Sequence, residues 1–127
     1  MKKIKLKEYK DHRGSLVENT LPKILNDSEH FFISKSKVGV IRGNHYHRRK
    51  SEWFYVIQGK CKLCIQDIAT AKKEEIVIND KQNIMINIGP NKAHAFKNIG
   101  NKELILLALV NEVHNQMDSD TFKYKVI

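Results

Sequence analysis

The sequence lacks any long apolar segment. Its longest uninterrupted apolar run, Leu104–Val110, is far shorter than the roughly 20 residues that a membrane-spanning helix requires. The N-terminal residues Met1–Lys7 are positively charged, but the apolar stretch of about 7–15 residues that is typical of a secretory signal does not follow them. These absences predict a cytoplasmic protein with no membrane span.

Cysteine and proline are also scarce, with two residues of each in 127. Cys61 and Cys64 are three positions apart in a segment with strand character, so their side chains are expected on opposite faces. This spacing argues against a mutual disulfide, and a zinc ribbon would need a second cysteine pair. We therefore expect two packing cysteines in a reducing compartment and a fold held by apolar burial.

Helical periodicity is nearly absent, and its best candidate is the short segment 21–26. The rest of the chain has the pattern of short strands separated by turn-forming pairs such as Gln58-Gly59 and Asn79-Asp80. The predicted strands cover residues 31–37, 38–42, 53–57, 60–67, 75–78, 83–88, 93–98, 104–111 and 122–126. Since 127 residues are enough for one core, we predict an all-β sandwich or barrel that forms a single domain over 1–127.

The charge balance is strongly basic, because 23 Lys and Arg outnumber 14 Asp and Glu and give a net charge of +9. Such an excess suits nucleic acid and a phosphorylated small molecule equally well. The excess is mostly scattered lysine, with one cluster in the first ten residues, and no helix-turn-helix, zinc-finger or aromatic RNA-binding motif accompanies it. We therefore expect a solvated basic surface and no nucleic-acid partner.

One pattern in the sequence is typical of a metal site. In extended chain His45 and His47 leave the same face, and a hairpin return brings Glu52 back beside them. A tight turn at Gly89–Asn91 precedes His94, which supplies a fourth donor as it enters a later strand. Three imidazole nitrogens and one carboxylate oxygen suit a first-row divalent metal, so we predict zinc first, with nickel, iron or manganese as alternatives.

The two histidine segments resemble the two signature motifs of the cupin superfamily, which are small β-barrels whose inner face commonly holds a metal. The first motif fits completely from Gly39 to Gly59. The second departs from its usual form, because Gly89 stands where proline is expected and Asn91 where glycine is expected. Asparagine tolerates a left-handed conformation better than other non-glycine residues, so the turn can be kept. The resemblance implies a single cupin-type jelly-roll β-barrel.

A narrower resemblance covers the segments Asp11–Glu18 and Arg42–Tyr46, which are similar to segments of the dTDP-sugar 3,5-epimerases and 3,4-ketoisomerases. The run Arg42–Glu52 and the later triplets Asn111–Val113 and Ser119–Thr121 resemble the C-terminal cupin domain of the capsular polysaccharide enzyme CapF. That resemblance implies a metal-dependent epimerase that acts on a nucleotide-linked 4-keto sugar in surface polysaccharide biosynthesis. The CapF domain is normally fused to a reductase, so a separate reductase is expected as a pathway partner.

The resemblance and the residue chemistry together predict a nucleotide-diphosphate sugar as substrate. Arg13 and Arg42 are predicted to bind its diphosphate, because the guanidinium fork matches phosphate oxygens bidentately. Asn44 and Glu112 are predicted to bind the substrate as well. Cupin-like barrels of this size commonly pair their exposed edge strands, so a homodimer is also predicted.

The predicted reaction sets the requirements for catalysis. A ketone at C4 of a hexose acidifies the hydrogens at C3 and C5, so the site needs a base and a group that holds the negative enolate oxygen. The predicted catalytic residues are His45, Lys50 and Tyr46. A histidine whose lone pair binds a metal cannot also accept a proton, so His45 is either a ligand or the base. Glu52 favours the metal, because the similar 3,4-ketoisomerases tend to have glutamine there, and a neutral amide is a poor ligand.

Three other functions stay open at the level of the sequence. A 3,4-ketoisomerase would protonate a different atom of the same enediol. An iron or manganese dioxygenase uses the same three-histidine, one-glutamate set, but the arginine-bearing segment Arg42–Tyr46 argues against it. A non-catalytic cupin that binds a sugar or nucleotide would keep ligand binding without turnover.

Overall fold

The computed structural model describes residues 1–19 and 21–127, and β-strands dominate it. The all-β prediction is confirmed, and one short helix, α1 (Pro22–Asn26), lies where the sequence predicts helix over 21–26. Within the described residues the strands are β1 Lys2–Lys5, β2 Lys7–Asp11, β3 Gly14–Glu18, β4 His30–Ser36, β5 Ile41–Tyr46, β6 Glu52–Gln58, β7 Lys60–Asp67, β8 Lys73–Asn79, β9 Ile84–Ile88, β10 Lys92–Asn98, β11 Leu104–Val110 and β12 Phe122–Lys123. No helix in that part of the chain is long and apolar enough to cross a membrane.

Two antiparallel sheets of five strands form the body of the jelly-roll, and β2 and β3 form a separate hairpin. The first sheet has the order β1-β9-β6-β11-β4, and the second has the order β12-β5-β10-β7-β8. Alternate residues of both sheets point inward and pack into one apolar core, which includes Phe54, Leu63, Ile86, Phe96 and Leu106. The core fills one part of the space between the sheets, and the histidine motifs lie at its border.

The backbone of β5 approaches β10 unusually closely at Gly43. A Cβ atom at Gly43 would lie 2.6 Å from the carbonyl oxygen of His94, and the residue has φ +105°. Only glycine meets both conditions without strain. The register between the two strands shifts between His94 and Ala95, so that His94 lies directly opposite His45. The glycine and the bulge therefore set the distance between two of the predicted metal ligands.

The bounds of β5, in the second sheet, differ from the predicted ones. The sequence predicts a strand over 38–42, whereas β5 begins at Ile41 and continues to Tyr46. A turn closed by the Val40 N–H and the Lys37 carbonyl at 3.1 Å occupies the preceding residues, and Gly39 in it has φ +83°. The shift places His45 within the strand.

The N-terminal strands β1 to β3 were not predicted, because β1 and β2 are rich in lysine, which has low β propensity, and β3 begins with glycine. β1 pairs with β9 at the edge of the first sheet, where lysines on an edge strand discourage further pairing. Leu6 follows β1 and packs with Ile24, Trp53 and Met85 in a second apolar cluster on the outer face of that sheet. Apolar side chains between the lysines, such as Ile4 and Leu6, therefore hold the N-terminal segment against the sheet.

Both cysteines are free and buried, which confirms the prediction that they do not form a disulfide. Cys61 belongs to the main core, and burial raises the pKa of its thiol to about 12. Neither thiol is therefore suited to act as a nucleophile or metal ligand at neutral pH.

Candidate metal centre and active site

The four predicted metal ligands converge at one point between the sheets. His45 lies near the end of β5, His47 follows that strand, Glu52 begins β6, and His94 lies in β10. One donor atom from each residue lies within 4.8 Å of the others. His47, Glu52 and His94 are buried, and His45 is partly exposed. The hairpin return and strand alternation inferred from the sequence produce this convergence.

Backbone carbonyls fix the orientation of two imidazole rings. The Nδ1 atom of His47 lies 2.8 Å from the carbonyl oxygen of Asp120, and the Nδ1 atom of His94 lies 3.0 Å from the carbonyl oxygen of Lys92. A carbonyl oxygen only accepts, so each Nδ1 carries the proton and donates it. The Nε2 atoms of both rings consequently present their lone pairs to the centre, as in histidines that ligate metals.

The centre contains buried polar atoms without hydrogen-bond partners among the described residues. Nε2 of His47 lies 3.0 Å from Oε1 of Glu52, and Nε2 of His94 lies 3.3 Å from the same oxygen. His47 Nε2 and Glu52 Oε1 are both buried and unpaired, because each offers a lone pair to the other. A cation between them, either a proton or a divalent metal, removes this repulsion. The donor set of three nitrogens and one oxygen fits a first-row divalent metal.

The electrostatics of the centre keep the carboxylate ionised. Burial alone would raise the pKa of Glu52, but His47 and His94 donate to the carboxylate whenever their Nε2 atoms are protonated, and this interaction holds the pKa well below its usual range. Burial opposes a charge on His47 too, yet the hydrogen bond that a protonated Nε2 would donate to Glu52 leaves the pKa raised. Burial and the neighbouring imidazoles of His94 and His47 lower the pKa of His45 to about 4. His45 is therefore neutral near pH 7, with a lone pair free for a metal or a proton.

The four residues open into a cavity of about 650 Å³, which is within the range of small-molecule sites. The aromatic and aliphatic side chains of Phe32, Phe54, Phe96 and Leu106 form its apolar wall. Polar and charged side chains line the rest, and beyond the four ligands they are His30, Ser34, Lys35, Arg42, Lys50, His114 and Thr121. Cations outnumber anions in this lining, since Glu52 is its one carboxylate among the described residues.

Two predicted site residues line the cavity. They are Arg42, predicted to bind the diphosphate, and Lys50, predicted to be catalytic. The Nε atom of Arg42 donates to Ser36 Oγ at 2.9 Å, and one terminal nitrogen donates to the Lys35 carbonyl at 3.1 Å. These bonds hold the guanidinium at the cavity wall. Lys50 is 5% exposed, and its Nζ atom donates to the carbonyl of Ser119 at 3.0 Å.

Two predicted residues in β5 face away from the cavity. Tyr46 stacks on Phe122 with ring centroids 5.3 Å apart, because residues between two inward histidines point to the opposite face. Asn44 accepts the backbone N–H groups of Val126 and Ile127 with its side-chain oxygen, at 2.8 and 3.1 Å. Tyr46 and Asn44 therefore hold the C-terminal segment and are not part of the candidate site.

Two further predicted residues are bonded elsewhere. Arg13 lies between β2 and β3 and pairs with Asp11 at 2.6 Å, beside a separate, smaller concavity. Glu112 pairs with Arg49 at 2.8 Å. Neither residue lines the main cavity in this chain, and the diphosphate contact of Arg13 and the substrate contact of Glu112 stay predictions.

Sequence reasoning missed several residues of the cavity. His30 and Phe32 alternate on β4 and face inward; the predicted strand 31–37 includes Phe32 and begins one residue after His30. His114 and Thr121 come from the segment between β11 and β12, whose position no periodicity indicates. The triplet Ser119–Thr121 was noticed only through a family resemblance, and no local pattern links it to the histidines.

The chain matches a protein family over most of its length. The family of the polysaccharide biosynthesis C-terminal domain matches residues 9–122. The chain belongs to this family. Among curated proteins, it is 30% identical over 118 residues to a UDP-2-acetamido-2,6-beta-L-arabino-hexul-4-ose reductase from Pseudomonas aeruginosa, and the match covers 93% of this chain and 31% of that protein. The chain thus spans about a third of the curated relative.

Solved structures agree with this assignment. The capsular polysaccharide assembling protein CapF from Staphylococcus aureus is 26% identical, with a TM-score of 0.75, over 97% of this chain and 33% of CapF. A mutant 3,4-ketoisomerase from Thermoanaerobacterium thermosaccharolyticum, in complex with TDP-4-keto-6-deoxyglucose, is 19% identical, with a TM-score of 0.80, over 96% of this chain and 86% of that chain. The expected likeness to the CapF domain and to the ketoisomerases is confirmed, and the second match shows the shared fold.

Proposed function

We propose that this chain is a metal-dependent nucleotide-sugar epimerase that enolises a nucleotide-linked 4-keto-6-deoxyhexose for surface polysaccharide biosynthesis. The observation that carries the proposal is the convergence of His45, His47, Glu52 and His94 at the end of a cavity lined by Arg42. The membership in the polysaccharide biosynthesis family supports the pathway. The 4-keto sugar in the ketoisomerase complex supports the substrate class.

The four donors are proposed to hold one divalent metal, with zinc first and nickel, iron or manganese as alternatives. The unpaired lone pairs of His47 and Glu52 support this assignment, because a bound cation satisfies both. When bound there, such a metal supplies a Lewis acid worth several kcal/mol of charge stabilisation.

The remaining side chains of the cavity are proposed to move the proton. Enolisation breaks a C–H bond at C3 or C5, the electron pair enters the ring as a C=C bond, and the carbonyl oxygen becomes negative. If all four donors hold the metal, the lone pair of His45 is committed. Lys50 is then proposed to take the proton as its neutral amine and to return it as the ammonium, which also holds the negative oxygen. If His45 is not a ligand, its neutral imidazole serves as the base.

Arg42 is proposed to bind the diphosphate of the substrate. Its Nε atom and one terminal nitrogen are held by Ser36 and Lys35, which leaves the other donors of the guanidinium for a ligand. Lys35 lines the same cavity and adds a second positive charge. The guanidinium fork matches phosphate oxygens, so this wall suits a diphosphate group.

Solvent exchange tests the proposal. The metal-loaded protein is incubated in deuterated buffer with TDP-, UDP- or GDP-linked 4-keto-6-deoxyhexose, and proton NMR follows the C3 and C5 signals. The expected result is deuterium incorporation at one or both carbons. If none of the three nucleotide sugars shows exchange although they still bind, the enzyme proposal is wrong and the chain is a binding module.

A 3,4-ketoisomerase is the second candidate, because it starts from the same enolate. Epimerisation returns the proton to the opposite face and needs a donor there, whereas Tyr46 points away from the cavity. The product separates the two functions: an epimer keeps the ketone at C4, and a ketoisomerase product carries it at C3.

Two partners belong to the proposal. A reductase would consume the product, and the reductase name of the curated relative supports this partner. A second copy of the chain is proposed to pair with the first through the edge of the first sheet, where Phe31 and Ile33 on β4 are 63% and 53% exposed. Exposed apolar edge strands are otherwise prone to aggregation.

A further inference from the structure

Asp120 connects the segment before β12 to the turn that carries the candidate metal ligands. Asp120 is 3% exposed, and its backbone adopts a left-handed φ of 51°. Its carboxylate accepts the backbone N–H groups of Arg48, Arg49 and Lys50 at 3.0, 2.9 and 3.0 Å. These three residues form the turn between His47 and Ser51, so one buried carboxylate fixes the path of the chain from His47 towards Glu52.

The same residue also orients a ligand directly. The carbonyl oxygen of Asp120 accepts the Nδ1–H of His47 at 2.8 Å. This bond fixes the tautomer that directs the Nε2 lone pair of His47 at Glu52, 3.0 Å away. The carboxylate and the carbonyl of Asp120 therefore act on the same short segment from two directions.

We propose that Asp120 is a positioning residue of the candidate metal centre, which sets the tautomer of His47 through its carbonyl and the His47–Glu52 geometry through its carboxylate. The proposal rests on the proposed function for the identity of the centre. Other acidic groups nearby do not share this arrangement. Asp118 lies on the same segment, and its carboxylate pairs with the Arg49 side chain at 3.1 Å on the exposed surface.

Two substitutions at Asp120 and one matched control test the role. Asp120→Gly removes the carboxylate and tolerates the left-handed φ. Asp120→Asn tolerates it too and keeps the side-chain shape, but its NH₂ group cannot accept, so the amide loses part of the three-bond network. Asp118→Gly introduces the same glycine two residues earlier and leaves the buried network intact.

The first measurement is the His47 tautomer in metal-free protein, read by long-range proton–nitrogen NMR on ¹⁵N-labelled histidine. In the wild type, Nδ1 of His47 is expected to carry a protected proton. Asp120→Gly keeps the carbonyl but removes the carboxylate that holds residue 120 against the 48–50 turn, so the carbonyl is expected to lose its fixed position and the tautomers to mix. Asp118→Gly is expected to keep the wild-type signal. An unchanged His47 signal in Asp120→Gly would overturn the proposal. If that variant does not fold, the same comparison with Asp120→Asn decides.

The second measurement is zinc affinity by competition with a chromophoric chelator, at a temperature where all variants are folded. Asp120→Gly is expected to weaken zinc binding by about 10- to 100-fold, and Asp120→Asn by less. Zinc affinity within about twofold of the wild type in Asp120→Gly would overturn the proposal. If the wild type itself binds no zinc, zinc is excluded as the metal of this centre, and the His47 signal still decides the role of Asp120.

Discussion

The candidate metal centre and the β2–β3 hairpin hold their charged side chains in opposite ways. In the centre, Glu52 is buried between two imidazoles whose rings are fixed by carbonyls from distant parts of the chain. In the hairpin, Arg13 pairs with Asp11 two residues away, and its side chain is 80% exposed. Exposed local pairs contribute little free energy, because water screens them.

This difference shows which charges are prepared for chemistry. A buried carboxylate held against two lone pairs is costly unless a cation joins it, so the centre is selective for a proton or a metal. The Arg13–Asp11 ion pair in the hairpin needs no additional cation, because its two opposite charges balance and both side chains are exposed to water.

The largest effect is expected at Glu52. Glu52→Gln should lower the metal content from about one ion per chain to less than about a tenth, since an amide is a poor ligand. The fold should survive, because the new amide N–H donates to the unpaired Nε2 of His47. Elemental analysis after dialysis measures the metal, and thermal melting of the metal-free protein measures the fold.

Glu18→Gln on β3 is the matched control for that substitution, because Glu18 is an exposed residue of the hairpin. It should keep the wild-type metal content. A Glu52→Gln protein with a full complement of metal would remove Glu52 from the ligand set.

The next largest effect is expected at Lys50. Lys50→Gln should slow deuterium exchange by roughly 10²-fold, because the cavity loses the ammonium proposed to hold the enolate oxygen or return the proton. Tyr46→Phe is the control, since its hydroxyl faces away and phenylalanine preserves the stacking on Phe122. Single-turnover NMR in deuterated buffer gives both rates. Exchange at the wild-type rate in Lys50→Gln would assign the proton transfer to His45.

Much of this site was predictable from alternation alone. The spacing of His45 and His47 places both on one face, and the same rule places Tyr46 on the other, where the structure has it. Tyr46 was predicted to be catalytic because it is next to the histidines in the sequence, and the structure places its side chain on the opposite face of the strand. Apart from β1, and with β5 displaced from its predicted bounds, the strands of the two sheets were also predictable, because apolar runs between turn signals mark them.

The parts that could not be predicted depend on distant segments. Asp120 reaches the turn at 48–50 from about 70 positions away, and no local pattern encodes that contact. The placement of Arg13 depends on how the hairpin folds back, which its lysine-rich surroundings do not indicate. The requirement for glycine at position 43 could not be predicted either, because it arises from the close approach of Gly43 to His94 when the two strands pair.

A smaller effect separates the two arginines. Arg42→Gln should weaken the binding of a nucleoside diphosphate by about tenfold, because it removes a charged, bidentate phosphate donor. Arg13→Gln should leave binding unchanged, as Arg13 does not line the cavity. Isothermal titration with thymidine diphosphate compares the two. An equal loss of binding affinity in Arg13→Gln would contradict the different roles of the two arginines, because it would mean that the hairpin contacts the ligand in the main cavity.

The smallest expected change is a factor of two in mass. The proposed homodimer predicts about twice the 14.8 kDa of one chain by light scattering at micromolar concentration. Ile33→Glu should return the mass to that of one chain, because a charge at this exposed position of β4 opposes apolar pairing. Val77→Glu is the matched control, since Val77 is 49% exposed on β8, the edge strand of the other sheet. Dissociation by Val77→Glu but not by Ile33→Glu would move the interface to the second sheet, and a monomeric wild type would remove it.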